Sequence, residues 1–153
     1  MRWRIVGPDR ARSIVGGVTT ATERTILVAT DADEVLDEVD AALSDPTTQV
    51  VRVAAGRDVL AAIDQVDPDL IVLDLQIGNM GGVATALAIR NEASAGRIEA
   101  RPVLMLLDRA ADVYLATRAE ADGWLIKPLD ALRLRRAADE VLAGGFYEET
   151  LAS

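Results

Sequence analysis

Neither cysteine nor histidine occurs in this 153-residue sequence. Without cysteine there are no disulfides, no thiolate nucleophile and no zinc–thiolate site. Without histidine there is no imidazole base and no phosphohistidine carrier. Any chemistry must therefore use carboxylates, lysine, hydroxyls or a metal held by oxygen. No apolar run approaches the roughly 20 residues of a membrane span. The arginine-bearing N-terminus lacks a clean apolar segment with a cleavage site, which argues against secretion and for a cytoplasmic chain. No GxGxxG or Walker A loop follows the first apolar run, so a nucleotide cradle is not supported. Internal repeats are absent too.

What is present points to one globular domain. Half of the residues are hydrophobic, and a chain of this length buries about two-thirds of its unfolded surface. The net charge of −9 argues against gripping a nucleic-acid backbone. That charge is uneven. Residues 1–24 carry five arginines against Asp9 and Glu23, a local balance of +3 that leaves −12 for the remainder. The basic head, residues 1–23, shows no sustained period and reads as a flexible extension; a membrane-surface or nucleic-acid role is the sharper alternative. The folded domain is placed at residues 24–144, with residues 145–153 as a short tail.

Within the domain the pattern alternates. Apolar runs fall at 25–30, 49–54, 70–75, 102–107 and 123–126. Between them Val35, Leu36, Val39 and Leu43 recur at helical spacing, as do Val59, Leu60, Ile63 and Val66, and later Leu134, Ala138, Val141 and Leu142. Turn-forming residues separate the units, among them "SDPTT" at 44–48, "DPD" at 67–69 and "GNMGG" at 78–82. Strands with little polar alternation, divided by amphipathic helices, predict a parallel sheet covered on both faces. The count is five β/α units in about 120 residues.

Ligands of doubly wound sheets bind at the carboxyl ends of the strands. The polar residues there can be read together. The first run ends in Thr30 and Asp31, the third in Asp74, the fourth in Leu107 and Asp108, and the fifth in Lys127 and Pro128. Asp74 interrupts a buried strand, which is costly for a carboxylate unless it is bound or does chemistry. Carboxylates meeting a lysine at one sheet edge suggest a divalent-metal and phosphoryl site.

This constellation resembles the receiver domain of bacterial two-component response regulators. The resemblance spans roughly residues 24–144 and is carried by "PDLIVLDLQIGNMGG" and "GWLIKPLD". It implies a flavodoxin-like (βα)5 fold with strand order 2-1-3-4-5. It makes Asp74 the phosphate acceptor and Lys127 the cation that pairs with the phosphoryl group, across a peptide bond to Pro128 that is usually cis. Mg²⁺ would be held by Asp31, Asp74 and the backbone carbonyl of Gln76. Trp124 falls where the family carries its strand-five aromatic switch. The implied partners are a sensor histidine kinase or other phosphodonor and a downstream protein target. A homodimer through the surface of helix four, strand five and helix five is a further expectation, with Tyr114, Arg118, Arg133 and Arg136 as its candidate face. Neither nucleic acid nor membrane is expected to bind the receiver itself.

The departures from the pattern matter as much. Thr30 stands where the family has an acid, so metal affinity should fall. Leu107 stands where the family has a Ser or Thr and cannot donate the switch hydrogen bond. Asp108 adds a negative charge beside it, and a one-residue strand slip would change which of the two points inward. Plainer roles compete with several of these readings. Asp31 caps the first helix or binds metal, since "TDADE" is a good N-cap sequence. Trp124 reads as a packing residue rather than a working switch. Arg133, Arg135 and Arg136, like the acidic face of Asp33, Glu34, Asp37, Glu38 and Asp40, read by default as solvated. The leading reading is a stand-alone, atypical receiver phosphorylated on Asp74 and acting by protein–protein contact. The alternative is a phosphorylation-independent pseudo-receiver. A small hydrolase using Asp74 as nucleophile is the third and weakest, since no second acid–base group is evident.

Overall fold

The computed structural model describes residues 24–149, together with the backbone of three short strands in the head. Those are β1 (Arg4–Val6), β2 (Ser13–Val15) and β3 (Val18–Thr20); the head thus contains regular structure that its sequence did not announce. Strands of three residues have no period to read. The remainder of residues 1–23 lies outside the described residues, as do residues 150–153.

The domain follows as β4 (Arg24–Ala29), α1 (Asp33–Leu43), β5 (Thr48–Val53), α2 (Val59–Val66), β6 (Leu70–Asp74), α3 (Gly82–Ser94), β7 (Val103–Leu107), α4 (Val113–Arg118), β8 (Gly123–Ile126) and α5 (Ala131–Leu142). The main sheet runs β1-β5-β4-β6-β7-β8. Its five parallel strands therefore lie in the order 2-1-3-4-5, the flavodoxin-like arrangement. β1 pairs antiparallel to β5 and supplies partners to a backbone edge that would otherwise be open. β2 and β3 form a separate hairpin.

Alternation along the strands sorts side chains into two apolar layers. Leu27, Ile71, Leu73, Val103, Met105, Leu107, Trp124 and Ile126 face α2, α3 and α4. Ile26, Val28, Leu70, Val72, Leu104, Leu106 and Leu125 face α1 and α5. Every residue of β6 and of β7 is buried, which explains the unbroken apolar runs. α1 buries Val35, Leu36, Val39 and Leu43, the residues whose spacing predicted it. Each such side chain contributes about 1.5–3 kcal/mol by leaving water.

Two local features aim the strand ends. A Cβ on Gly82 would lie 2.8 Å from both the Asp74 carbonyl oxygen and the Leu75 Cα, so only glycine lets α3 start this close to β6. Asp130 caps α5 by accepting a hydrogen bond of 2.9 Å from the Arg133 amide. Beyond α5 the chain turns at Gly144, at φ +88°, and Tyr147 bridges in parallel to Gly123 of β8.

Candidate functional site

Asp74 ends β6 with its side chain 2% exposed. Its Oδ1 accepts from Lys127 Nζ at 2.8 Å and from the Gln76 amide at 3.1 Å. Its Oδ2 accepts from the Thr30 hydroxyl at 2.7 Å. Three donors, one of them cationic, offset the cost of holding this carboxylate out of water. The parallel register makes the convergence unavoidable. β4 and β7 flank β6, β8 flanks β7, and Thr30, Asp74 and Lys127 leave those strands at the same edge.

Lys127 is shared. Its Nζ also donates to Asp108 Oδ1 at 3.1 Å. Burial disfavours the ammonium, but the hydrogen bonds and charges of Asp74 and Asp108 outweigh that effect and hold its pKa above the ordinary lysine value. The peptide bond from Lys127 to Pro128 is cis.

The register settles which residue at the end of β7 faces inward. Leu107 pairs with Ile126, is fully buried, and belongs to the apolar layer that contains Trp124. Asp108 follows on the opposite side and meets the lysine. Trp124 is 4% exposed, packs edge-to-face on Phe146 with ring centroids 5.2 Å apart, and donates from Nε1 to the Glu149 carbonyl at 3.3 Å. These are packing contacts.

Asp31 does not cap α1. The residue before that helix is Ala32, with no side-chain cap; the Ala32 amide instead donates to the Thr30 hydroxyl oxygen at 3.1 Å. Asp31 turns toward the loop after β6, where its Oδ2 accepts from the Gly78 amide at 3.1 Å. Asp31, Asp74 and the main-chain carbonyl of Gln76 are all hard oxygen donors, and two of the three carry charge. That set suits a Mg²⁺ ion keeping several waters. Among the described residues no group of three or more acidic, histidine or cysteine side chains is placed to hold a metal.

The loop after β6 is braced from the segment that follows β5, two strands away in the sheet. The amides of Gly56 and Arg57 donate to the carbonyls of Gly78 and Asn79, at 3.1 and 2.9 Å. Asn79 and Met80 both hold positive φ, 52° and 79°, and the Thr85 hydroxyl donates to the Met80 carbonyl at 3.0 Å.

The candidate partner face is only partly open. Tyr114 is exposed, with the Arg118 guanidinium 5.9 Å from its ring centroid, and Arg136 is exposed. Arg133 departs from the solvated face expected of it, whereas Arg135 stays exposed. Arg135 donates to the Ala42 carbonyl at 2.8 Å. Arg133 donates to the carbonyls of Ile126 and Pro128 and pairs with Glu149 at 2.9 Å. The sequence reading missed Glu149 entirely: one of two adjacent acids after a Gly-Gly turn carries no signal of its tertiary partner.

Known proteins share this fold. The family model described as the response regulator receiver domain matches residues 26–139, and the chain belongs to that family. Transcriptional regulatory protein TcrA of Mycobacterium tuberculosis is 35% identical over 136 residues, covering 86% of this chain and 49% of that protein. The nitrate/nitrite response regulator protein NarL of Escherichia coli is 32% identical over 97 residues, 63% of this chain and 44% of NarL. The chain thus spans about half the length of the curated relatives it matches. Among solved structures, the receiver domain of NtrX from Brucella abortus superposes with a TM-score of 0.67 at 28% identity, covering 77% of this chain and 98% of that one. Chemotaxis response regulator CheY4 of Vibrio cholerae gives 0.68 at 25% identity, with the same coverage of both chains. Receiver domains are signalling modules of two-component systems that meet histidine kinases or other phosphodonors and downstream targets, and they generally bind Mg²⁺ at the phosphorylation site. No helix among the described residues is long and apolar enough to cross a membrane.

Proposed function

We propose that this chain accepts a phosphoryl group on Asp74 and acts through protein–protein contact. The observation that carries the proposal is the 2.8 Å ion pair between Lys127 and the buried Asp74 carboxylate at the open end of the sheet. With a donor such as acetyl phosphate, an Asp74 oxygen attacks phosphorus, the bond to the acetate oxygen breaks, and acetate leaves with the electron pair. Lys127 has three N–H donors; the contacts to Asp74 and Asp108 use two, and the third suits an equatorial phosphoryl oxygen. The Thr30 hydroxyl and the Gln76 amide hold the carboxylate in place for attack. A Mg²⁺ ion held by Asp31, Asp74 and the Gln76 carbonyl would neutralise charge on the phosphoryl group. The partners proposed are a sensor histidine kinase or other phosphodonor and a protein target, with Tyr114, Arg118 and Arg136 as the exposed part of the contact face, open also to a second copy of this chain.

Leu107 supports a second reading, a pseudo-receiver whose binding does not depend on phosphorylation. A leucine packed into the core offers no hydrogen bond to a modified Asp74. Incubation with Mg²⁺ and acetyl phosphate followed by intact-mass measurement separates the two. A phosphoryl increment that vanishes in Asp74→Asn supports the acceptor. An increment that persists in that variant places the chemistry elsewhere, and no increment with any donor favours the pseudo-receiver.

A further inference from the structure

The outer edge of β8 is covered by the chain's own residues 145–149. The Trp124 amide donates to the Tyr147 carbonyl at 3.0 Å, and the Tyr147 amide donates to the Asp122 carbonyl at 3.1 Å. The next outward-facing amide, that of Ile126, finds no backbone partner. It donates to Glu149 Oε1 at 2.8 Å, so a side-chain carboxylate completes the strand edge. The same carboxylate pairs with Arg133, whose Nε lies 2.9 Å from Oε2. At the other end of the segment Phe146 packs edge-on against Trp124.

This attachment is specific yet slight. It consists of two main-chain bonds, the Trp124 Nε1 bond to the Glu149 carbonyl, one aromatic contact, the packing of Tyr147 against the α1/α5 layer, and one carboxylate shared between an amide and a guanidinium. Phe146 remains 53% exposed, so Tyr147 is the residue of the segment that packs against the core and the segment stays short. Short segments with few buried contacts open readily. Strand addition to an open sheet edge, with main-chain bonds for affinity and side-chain pockets for selectivity, is a general mode of peptide recognition. In a chain of net charge −9, the Arg133 guanidinium is the local feature that selects an acidic segment.

We propose that the β8 edge with Arg133 is a binding site for extended segments of the pattern Phe-x-x-Glu, that residues 146–149 occupy it in cis, and that a partner protein presenting such a segment displaces them. This inference does not depend on phosphorylation of Asp74.

The test uses the full chain carrying Phe146→Ser and Glu149→Lys, which releases the segment while leaving β8 and Arg133 intact. The probe is a fluorescein-labelled, amidated peptide with the sequence of residues 144–149, followed by fluorescence polarisation. The peptide should bind the double variant at least roughly tenfold more tightly than the unmodified chain, whose own segment competes. A peptide with Lys in place of its last Glu should lose that binding. Equal binding to both proteins, or none to a double variant with native circular dichroism, would overturn the proposal. Should the double variant fail to fold, Glu149→Gln alone decides. Amide exchange at Ile126 should then accelerate by roughly tenfold or more while the β7 amides keep their protection, and an unchanged Ile126 rate would refute the role of the carboxylate.

Discussion

Replacing Lys127 by methionine should destabilise the fold far more than replacing its partner Asp74 by asparagine. In Lys127→Met the Asp74 carboxylate keeps the Thr30 hydroxyl and the Gln76 amide but loses its only cationic contact while 2% exposed. Asp108, itself held by Lys127, loses its counter-charge as well. At the observed 2.8 Å and an effective dielectric constant near 20, the gross attraction is about 6 kcal/mol. Desolvation of both groups removes part of this, and stranding one buried member of a pair costs about 3–5 kcal/mol in general. The lysine side chain is 22% exposed, so water enters the site and the expected loss is about 2–4 kcal/mol. Asp74→Asn behaves differently. It removes the buried charge, its amide oxygen can still accept one of the two neutral hydrogen bonds, and Lys127 retains Asp108 at 3.1 Å. Its expected effect is within about 1 kcal/mol of zero. The double variant removes both charges and should recover most of the loss, a coupling of about 2 kcal/mol. Urea unfolding monitored by far-ultraviolet circular dichroism at pH 7 measures all three. Lys127→Met within 1 kcal/mol of the parent, or Asp74→Asn costing as much as Lys127→Met, would refute this electrostatic account.

The same lysine sets a pH dependence. Its folded pKa lies above the ordinary value of 10.5, so its contribution is complete below that pH and is lost as pH rises through the folded value. The urea midpoint of the parent should therefore fall more steeply above pH 10.5 than that of Lys127→Met, and parallel curves would contradict the shift. Thr30→Asp should tighten Mg²⁺ binding by about 1–2 kcal/mol, measured by calorimetry, since the Thr30 side chain reaches Asp74 directly; equal affinities would mean that the added carboxylate does not face the ion. Leu107→Thr should cost about 1–3 kcal/mol by placing a hydroxyl in a closed apolar layer. It should also create a response to beryllofluoride, seen as new amide-exchange protection across residues 108–143, which should be only weak in the parent. A large response in the parent would show that another residue couples Asp74 to that surface.

Legibility of the sequence varied with the physics behind each signal. α1, α2 and α5 could be read because large apolar residues recur on their buried faces. α3 buries Gly82, Thr85, Ala86 and Ile89, and α4 buries only Ala116; such small residues leave almost no periodic trace, so these helices were inferred from the need to connect parallel strands. The strand order came with the resemblance to the receiver family, whereas the meeting of Asp74 with Lys127 was accessible for a related reason. In a parallel sheet topology alone brings the strand ends to one edge, so residue identities at those ends can be combined without knowing any contact. The contacts themselves were not accessible. The run "PVLMLL" is apolar on both faces and hides the alternation that sends Leu107 into the core and turns Asp108 toward the lysine. Asp31 followed the sequence pattern of a helix cap and instead binds the Gly78 amide, a partner 47 residues away that no local pattern encodes. Arg133 looked like one of several exposed arginines on an amphipathic helix until Glu149 returned to meet it.

The charge at the strand ends follows the same division between identity and contact. Composition showed acids in excess over a single lysine, but only geometry shows how that excess is carried. Lys127 lies between two carboxylates, and the third, Asp31, is held by a backbone amide. Asp74 is therefore neutralised by a cation that already serves a second anion, Asp108, at a position where the family pattern has a small residue. A phosphoryl group on Asp74 would have to compete with Asp108 for that ammonium. Removing Asp108's charge, as in Asp108→Asn, should therefore strengthen the lysine's hold on a phosphorylated Asp74. Slower loss of the phosphoryl mass increment in that variant would be the expected result, and an unchanged lifetime would show that the two carboxylates do not compete.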